Sequence, residues 1–215
     1  MSSPVNILNA DLDISPLENM VIKDGLFIPV PYSEVKKFSQ QHISLFCHKH
    51  ALYQFPTTEL IDYLKEETAS GLTIEVGSGN GCIGRSLGIK MTDNFQQTWP
   101  DVVNYYKTFK QPLISYGKDV EEINGNDAVK KYTPKNVIAC WVTQPWDYKR
   151  MSGNYWGIDE NKMFVDGIEK YIHVGNENTH STKEILSLRK YKSYKFDWLL
   201  SRSLSKEANI IYIIT

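Results

Sequence analysis

The stretch of sequence that decides the fold is Leu72-Thr-Ile-Glu75-Val-Gly77-Ser-Gly79-Asn-Gly81. A short β-rich run comes first, and three glycines then alternate with other residues before a helical pattern begins at Cys82. Glycine allows the backbone to turn sharply and to come close to a ligand. The N–H groups at the start of the next helix favour an electronegative ligand atom. The stretch therefore predicts a ligand-binding turn between a strand and a helix.

Short strands and helices alternate on the carboxyl side of this turn. The predicted strands are residues 72–76, 89–92, 118–123, 136–142, 171–174, 194–200 and 209–214. Helices are predicted at residues 82–87, 126–132 and 157–170, and a fourth after Ser181-Thr-Lys-Glu184, which has the form of a capping box. This alternation predicts an α/β fold with a mostly parallel sheet of seven strands. Only a short polar link joins the last two strands, so we expect them to form an antiparallel hairpin.

Residues 1–70 differ in character from the rest of the chain. The first thirty look irregular, with prolines at positions 4, 16, 29 and 31. A helix is predicted from Ser33 through Phe46, and a second after Pro56, with Thr57 or Thr58 as its N-cap. We therefore expect an N-terminal extension, residues 1–70, packed on a core of residues 71–215. Within the core, residues 95–117 are aromatic and irregular, as expected for a substrate lid or a homodimer surface.

Composition excludes several classes of protein. The chain has 215 residues, a formal net charge of −1 and 41% hydrophobic residues, which is typical of one globular domain and not of a polybasic nucleic-acid binder. No apolar run approaches the roughly 20 residues that span a bilayer, and no secretory leader is visible. Cys47, Cys82 and Cys140 are too far apart for a disulfide framework or a zinc site. We expect a cytoplasmic protein without a metal, whose cysteines are buried as small apolar residues.

Two classes of cofactor compete for the glycine turn. Residues 79–84 match the GxGxxG pattern of dinucleotide-binding proteins. That pattern expects an acidic residue about 20 positions further on, but Asp93 follows Gly84 by only nine residues. Counted from Glu75, the same aspartate is eighteen residues on. An acid before the glycines and a second acid at the end of the next strand form a different pattern.

This second pattern resembles the class I S-adenosylmethionine-dependent methyltransferases, and the resemblance covers residues 71–215. It implies a Rossmann-like three-layer sandwich, with a seven-stranded sheet that ends in an antiparallel hairpin, and S-adenosylmethionine (SAM) as cofactor. In that family the E/D-x-G-x-G-x-G segment holds the methionyl part of the cofactor, and the second acid binds the ribose hydroxyls. The residues implied for the methionyl part are Glu75, Gly77, Ser78, Gly79, Asn80 and Gly81. Asp93 would bind the ribose.

The resemblance also suggests residues for the adenine contact and a segment that covers the cofactor. The family places an acid and a small residue against adenine after the third strand, where this chain offers Asn124 with Gly125, or else Asp127. Asn124 is equally suited to cap a helix. Residues 53–57, Tyr-Gln-Phe-Pro-Thr, resemble a segment that folds over the methionine end of the cofactor in some DNA adenine methyltransferases. An ordinary helix start is the alternative interpretation.

Catalysis is expected beyond the carboxyl end of the fourth strand, where the chain reads Thr143-Gln144-Pro145-Trp146. Methyltransferases that act on amino groups carry [DNS]-P-P-[YFW] at this position, and the chain keeps only its second half. The resemblance implies that Thr143 and the following backbone accept hydrogen bonds from a target amino group, and that Trp146 stacks on it. His180 is the candidate general base, whereas His173 is expected in the core.

The leading hypothesis is a SAM-dependent methyltransferase, with an amino nitrogen as one candidate acceptor on a small molecule, a protein or a nucleic acid. A nicotinamide-dependent oxidoreductase and a SAM-binding module without catalysis are the alternatives. Residues 189–195 interleave basic and aromatic side chains, which suits either nucleic-acid contact or a solvated helix end.

Overall fold

The computed structural model of the chain describes residues 8–215. In chain order its strands are β1 (Ile22–Lys23), β2 (Leu26–Phe27), β3 (Thr73–Val76), β4 (Lys90–Asp93), β5 (Glu121–Glu122), β6 (Asn136–Cys140), β7 (Lys170–Asn176), β8 (Tyr191–Tyr194) and β9 (Asn209–Ile214). Strands β1 and β2 pair with each other, and the other seven form one sheet in the order β5-β4-β3-β6-β7-β9-β8. The strands from β5 to β7 are parallel, while β9 is antiparallel to both β7 and β8.

Helices surround this sheet and also form most of the N-terminal segment. They are α1 (Ser15–Val21), α2 (Tyr32–Val35), α3 (Gln40–Lys49), α4 (Thr58–Glu67), α5 (Cys82–Leu87), α6 (Pro100–Thr108), α7 (Gly125–Tyr132), α8 (Glu160–Val165), α9 (Glu177–His180) and α10 (Ile185–Leu188). Ser39 caps α3 and Thr57 caps α4 through their side-chain oxygens, which satisfies N–H groups that the helix itself leaves unpaired.

The sheet is covered on both faces, since nearly every residue of β3, β6 and β7 is buried. On one face Val76, Val137 and Ala139 pack with α7 and α8. On the other face Ile138 and Ile172 pack with α4. A parallel sheet needs such a cover on both sides. The expected Rossmann-like sandwich of three layers, with a mostly parallel sheet and an antiparallel end, is confirmed.

The closing hairpin begins earlier than predicted. Its first strand is Tyr191–Tyr194 rather than residues 194–200. Beyond Tyr194, the rings of Phe196 and Trp198 stack on each other and pack against Tyr63. Aromatic residues at every second position resemble a strand in the sequence, but here they fill a cluster outside the sheet. The basic run 189–195 thus lies largely on an edge strand and not at a solvated helix end.

Several helix boundaries also differ from the prediction. The helix predicted over residues 157–170 extends only over Glu160–Val165, and the one predicted from Ser33 is divided into α2 and α3. The capping box at Ser181 is wrong, because Ser181 ends α9 and no side chain caps α10. The strand predicted over residues 118–123 is reduced to β5.

Two segments predicted to be irregular contain regular structure. The first thirty residues include α1 and the β1–β2 hairpin, while Pro4 lies outside the described residues. Residues 95–117 contain α6, which begins with a proline at its first position, where the missing N–H costs nothing. Its aromatic residues have low helix propensity, so tertiary contacts stabilise it.

The N-terminal segment has an apolar cluster of its own, and this cluster includes one residue from near the carboxyl end of the chain. Leu17, Phe46 and Phe55 lie in this cluster together with Leu200. The amide of Phe55 donates to the carbonyl of Leu200 at 3.0 Å. Within residues 8–215, no helix combines the length and apolar character needed to cross a bilayer.

Candidate cofactor and substrate site

Two adjoining cavities lie at the carboxyl ends of β3, β4 and β6, where parallel α/β sheets bind their ligands. The larger has a volume of about 180 Å³ and the smaller about 60 Å³. Four residues line both cavities: Tyr53, Gly77, Ile114 and Cys140. The cavities therefore form one cleft, with the glycine turn along its floor. Cys140 is partly exposed here, which corrects the expectation that all three cysteines are buried.

The glycine turn between β3 and α5 is held against β4 by Ser78. The Ser78 amide donates to the carbonyl of Thr92 at 3.0 Å, and the Ser78 hydroxyl accepts from the amide of Thr92 at 3.1 Å. Gly77 has a φ of 64°, and a Cβ there would lie 2.5 Å from the Val142 side chain. Glycine at this position serves both the turn and the close approach to the loop after β6.

Glu75, the acid before the glycines, is buried at the end of β3 and lines the smaller cavity. Its Oε2 accepts a hydrogen bond from the amide of Gly84 at 2.9 Å. Burial raises the pKa of Glu75 to about 8, and the Gly84 bond offsets only part of that effect. A cationic ligand group beside Glu75 would favour its charged form.

Asp93, the acid at the end of β4, lines the larger cavity. Its Oδ2 accepts from the amide of Gly79 at 2.9 Å, and its Oδ1 accepts from the amide of Phe95 at 3.0 Å. Burial raises the pKa of Asp93, while these backbone bonds lower it. Each oxygen keeps a lone pair for a further donor. The carboxyl is thus suited to bind a vicinal diol.

The other residues predicted for the cofactor are divided between the cavities. The smaller one is lined by Ser78, Gly79 and Asn80 besides Glu75 and Gly77. Gly81 does not line either cavity, because it packs against the side chains of Arg85, Met91 and Val120. Its role is to let the turn pack closely on the sheet.

Of the two candidates for adenine, the pair Asn124 and Gly125 lines the larger cavity. Asp127 is exposed on the first turn of α7 and does not line it. Asn124 also caps α7, since its side-chain oxygen accepts from the amide of Asn126 at 2.9 Å. The two interpretations of Asn124, as a cap and as a cavity residue, therefore hold together.

The predicted catalytic motif after β6 is divided between the cavity and its surroundings. Thr143 lines the larger cavity. Gln144 is buried and donates to the Ser152 hydroxyl at 3.1 Å, so it supports the loop. Pro145 and Trp146 line neither cavity, and the exposed Trp146 ring contacts Tyr148. Only the first residue of the motif faces the cleft.

His180 is buried next to the cleft and does not line it. Its Nδ1 lies within hydrogen-bond distance of the backbone of Asn176, and its ring contacts the ring of Trp141 edge-on at 5.3 Å. Burial, with a smaller effect of Lys183, lowers the pKa of His180 to about 3. The arrangement favours a role in packing behind Trp141, and a role as general base stays a prediction. His173 is fully buried, as expected for a core residue.

Trp141, Asn154 and Trp156 are among the residues that line the cleft without having been predicted as site residues. Trp141 has a φ of 60°, a conformation that costs an ordinary residue about 1–3 kcal/mol and is concentrated at functional sites. Its indole Nε1 donates to Oε1 of Gln54 at 3.2 Å. The flanking Gly153 and Gly157 were the only sequence signal for Asn154 and Trp156.

A hydroxyl network joins α6 to the N-terminal segment across the cleft. The hydroxyls of Tyr53 and Tyr106 lie 2.9 Å apart, and Nε2 of Gln97 donates to the Tyr106 hydroxyl at 3.0 Å. Oε1 of Gln97 accepts from the amide of Ile114 at 2.8 Å. The segment 95–117 is therefore fixed over the cleft. Tyr53 lines both cavities, whereas Thr57 caps α4, as the interpretation of residues 53–57 as a helix start expects.

The residues that line the cleft include carboxylic acids and no bases. Glu75 and Asp93 supply two carboxyl groups, and none of the lining residues, all from the described range, is Lys, Arg or His. The nearby Arg85 is occupied by Asp119, at 2.6 Å, and by the carbonyl of Asn80. No group of three or more metal-ligating side chains occurs in residues 8–215.

The order and direction of the strands in the sheet identify the fold. Its last strand, β9, lies antiparallel between β7 and β8, and an acid-bearing glycine turn follows β3 at the centre of the sheet. The fold is that of the class I methyltransferases. When the seven strands of this sheet are numbered along the chain, their order across the sheet is 3-2-1-4-5-7-6. A nicotinamide-binding Rossmann sheet instead has the order 3-2-1-4-5-6.

Comparison with known proteins gives similarity of structure only. No family model matches the chain, and no curated protein matches it in sequence. Three similar solved structures are a hypothetical protein from Thermus thermophilus, a protein from Pyrococcus horikoshii and the methyltransferase domain of bacterial CtHen1-CN. Their sequence identities are 11%, 10% and 9%, and their TM-scores are 0.37, 0.36 and 0.34. The alignments cover 73%, 72% and 73% of this chain and 82%, 86% and 96% of the respective structures.

Proposed function

We propose that this protein is a SAM-dependent methyltransferase. The observation that carries the proposal is the acidic lining of the cleft, in which Glu75 and Asp93 face the ligand space and no basic residue of the described range is present. SAM carries a sulfonium and an ammonium group against a single carboxylate. A cleft with two carboxyl groups suits such a cation.

The residues present fit the parts of SAM in order along the cleft. Glu75 and the turn at Ser78 would hold the methionyl part, and Asp93 the ribose hydroxyls. Asn124 with Gly125 would contact the adenine. Between these polar ends, Ile114 and Cys140 line both cavities and would face the middle of the ligand. When bound, SAM supplies a methyl group that is already activated by its sulfonium.

The acceptor would enter beside the loop that follows β6. The Thr143 hydroxyl has no hydrogen-bond partner among the described residues, and Asn154 and Trp156 line the same cavity. These groups can bind and orient a planar amino compound at close range, which is the main requirement of methyl transfer. Because no histidine or lysine lines the cleft, a nucleophile with a lone pair at neutral pH fits best. An amino nitrogen on an aromatic ring has that property, whereas an alkylamine is protonated at neutral pH.

A nicotinamide dinucleotide fits the cleft less well. Its pyrophosphate would bring two negative charges to a turn flanked by Glu75 and Asp93, with no lining cation to offset them. GxGxxG at residues 79–84 has a structural explanation, since a Cβ on Gly84 would lie 2.5 Å from Cγ of Met91.

Titration calorimetry tests the proposal. We expect SAM and S-adenosylhomocysteine to bind with micromolar affinity, and NADH not to bind. A radiolabelled-methyl assay against amine, peptide and nucleic-acid pools would then identify the acceptor. A folded, cofactor-free sample that binds neither SAM nor S-adenosylhomocysteine would remove the proposal. Tight SAM binding without turnover on any pool would instead favour a non-catalytic SAM-binding module.

A further inference from the structure

The loop after β6, residues 143–157, is a folded hairpin, which we call the rim loop. The amide of Asp147 donates to the carbonyl of Ser152 at 2.8 Å, and the amide of Asn154 donates to the carbonyl of Gln144 at 2.9 Å. A Cβ on Gly157 would lie 1.9 Å from that same Gln144 oxygen. The two arms of the loop therefore approach as closely as glycine permits.

This hairpin directs large apolar side chains into solvent. Tyr148 is 83% exposed and Tyr155 is 85% exposed, and Trp146 and Met151 are exposed as well. Thr143, Asn154 and Trp156 of the same loop line the cleft. Exposed aromatic residues on a well-bonded loop at the mouth of a cavity indicate an interaction site.

Helix α6 adds to the same surface. Tyr105 and Phe109 are exposed, and their rings lie 4.9 Å apart. Tyr106, between them in sequence, lines the cleft. The ring of Trp99, just before α6, contacts the ring of Trp156 at 5.5 Å. We call the set Tyr105, Phe109, Trp146, Tyr148, Met151 and Tyr155 the aromatic rim; it holds six of the eleven exposed large hydrophobic side chains in residues 8–215.

The charges within the aromatic rim are mainly positive. Lys107, Lys110 and Lys149 are exposed, and none of them forms an ion pair with another described residue. Arg150 pairs with Asp147 and Glu184. The three lysines therefore place positive charge beside the exposed aromatic rings.

We propose that the aromatic rim binds a single-stranded nucleic acid and that the methyl acceptor is one of its bases. This inference rests on the proposed function and specifies its substrate class. Rings of this kind stack on unpaired bases, and the lysines contact phosphates. In a duplex the bases are already stacked on one another, so their faces are not available to the aromatic side chains of the rim. In a two-fold dimer the same surface of both copies would meet, which would bring the lysines of both copies into one interface.

Fluorescence anisotropy with labelled 12-nucleotide RNA and DNA strands, in the presence of S-adenosylhomocysteine, tests the proposal. We expect single strands to bind at least tenfold more tightly than the corresponding duplexes. The double variant Tyr148→Ala/Tyr155→Ala should weaken single-strand binding by about tenfold or more, since each stacked base contributes about 1–3 kcal/mol. Both side chains are solvent-exposed, so the thermal midpoint should stay near that of the wild type.

The matched control is Leu72→Ala. Leu72 is 54% exposed just before β3, at the opposite end of that strand from the cleft. This variant should bind single strands as the wild type does. A second variant, Lys110→Ala/Lys149→Ala, should reduce the slope of log affinity against log salt by about 0.7 for each lost phosphate contact.

Three results would overturn the inference. They are the absence of single-strand binding by wild-type protein that binds SAM, equal losses in the rim variant and in Leu72→Ala, and a concentration-dependent dimer that the rim variant abolishes. In each case the proposed function survives, because SAM binding is measured separately. Loss of SAM binding in the wild type would remove the proposed function instead.

Discussion

The carboxylate of Asp93 accepts a hydrogen bond from the amide of Gly79 at 2.9 Å, across the whole α5 crossover between β3 and β4. One side chain therefore fixes the glycine turn and also faces the larger cavity. A site held in place before the ligand arrives loses less entropy on binding. The two acidic residues that mark the sequence pattern thus have structural duties in addition to the ligand contacts that we propose.

The first prediction concerns Asp93. Asp93→Ala should weaken SAM binding by about 2–3 kcal/mol, or about 30- to 150-fold, because charge-assisted bonds to the ribose and the support of Gly79 are both lost. Calorimetry measures the effect. The control Asp127→Ala changes an exposed acid on α7 and should bind SAM as the wild type does. Equal affinities for Asp93→Ala and wild type would contradict the assignment.

The second prediction concerns the pH dependence that Glu75 confers. Its pKa is raised from 4.5 to about 8 by burial, so the folded protein binds more protons than the unfolded chain between these values. The free energy of unfolding contributed by Glu75 should therefore fall as pH rises through this range. Glu75→Gln keeps an oxygen for the Gly84 amide and cannot titrate. Urea unfolding of both proteins from pH 5 to 8 should show a shallower decline for the variant.

SAM should reverse this effect of Glu75. A cationic ligand favours the carboxylate, so binding at pH 7 should release a proton. Calorimetry in two buffers of different ionisation enthalpy detects that proton as a difference in apparent binding enthalpy. If Glu75→Gln shows the same difference as the wild type, the proton comes from another group.

The third prediction concerns the rim loop. Gly157→Ala should force the loop arms apart, at a cost of about 1–3 kcal/mol, and trypsin should cleave faster after Lys149 or Arg150. The matched variant Gly88→Ala places a Cβ in open space and incurs only the cost of a left-handed conformation, about 1–2 kcal/mol. Similar stability losses with faster rim cleavage in Gly157→Ala alone would support the assignment. Unchanged rim cleavage there would show that the loop tolerates the added methyl group.

The fourth prediction concerns the buried ion pair of Lys183 and Glu160, each about 3% exposed. Nζ of Lys183 also donates to the carbonyl of Val142 at 2.9 Å, so the pair supports the backbone at the start of the rim loop. Lys183→Met and Glu160→Gln should each cost about 3–5 kcal/mol, because each leaves a buried charge without its counter-charge. The double variant should cost clearly less than the sum.

A double-mutant cycle in urea measures this coupling. The pair of Lys195 and Glu177 is the control, since both side chains are more than 40% exposed, and it should show a coupling below about 1 kcal/mol. Additivity within about 0.5 kcal/mol for Lys183 and Glu160 would mean that the two groups do not depend on each other.

The sequence predicted the centre of the sheet better than its edges. The run at residues 136–142 is almost wholly apolar, as expected for a strand that is covered on both faces of the sheet, and this pattern identifies a central strand without knowledge of its neighbours. The closing hairpin was expected too late in the chain, because the alternating ring residues Tyr194, Phe196 and Trp198 resemble a strand. Their packing on Tyr63, distant in sequence, decides the outcome.

The residues of the candidate site also differ in how well the sequence predicts them. The sequence pointed to Glu75, Gly77 and Asp93 because acids and glycines at a fixed spacing indicate a turn whose backbone approaches a ligand. Trp156 and Tyr106 were not, since an aromatic residue in a loop or on a short helix carries no local signal of the cavity it lines. Gln144 was assigned to catalysis from its position in a motif, whereas its partners Ser152 and Glu184 come from the folded rim loop and the segment packed beside it.

The position of β9 in the sheet has a consequence for synthesis of the chain. Strand β8 pairs only with β9 among the described strands, and β9 must enter between β7 and β8 after both have been made. Until residues 209–214 leave the ribosome, the apolar strand β7 has an open edge, and such edges favour aggregation of nascent chains. A chain stalled before residue 209 would therefore lack the strand that covers the edge of β7.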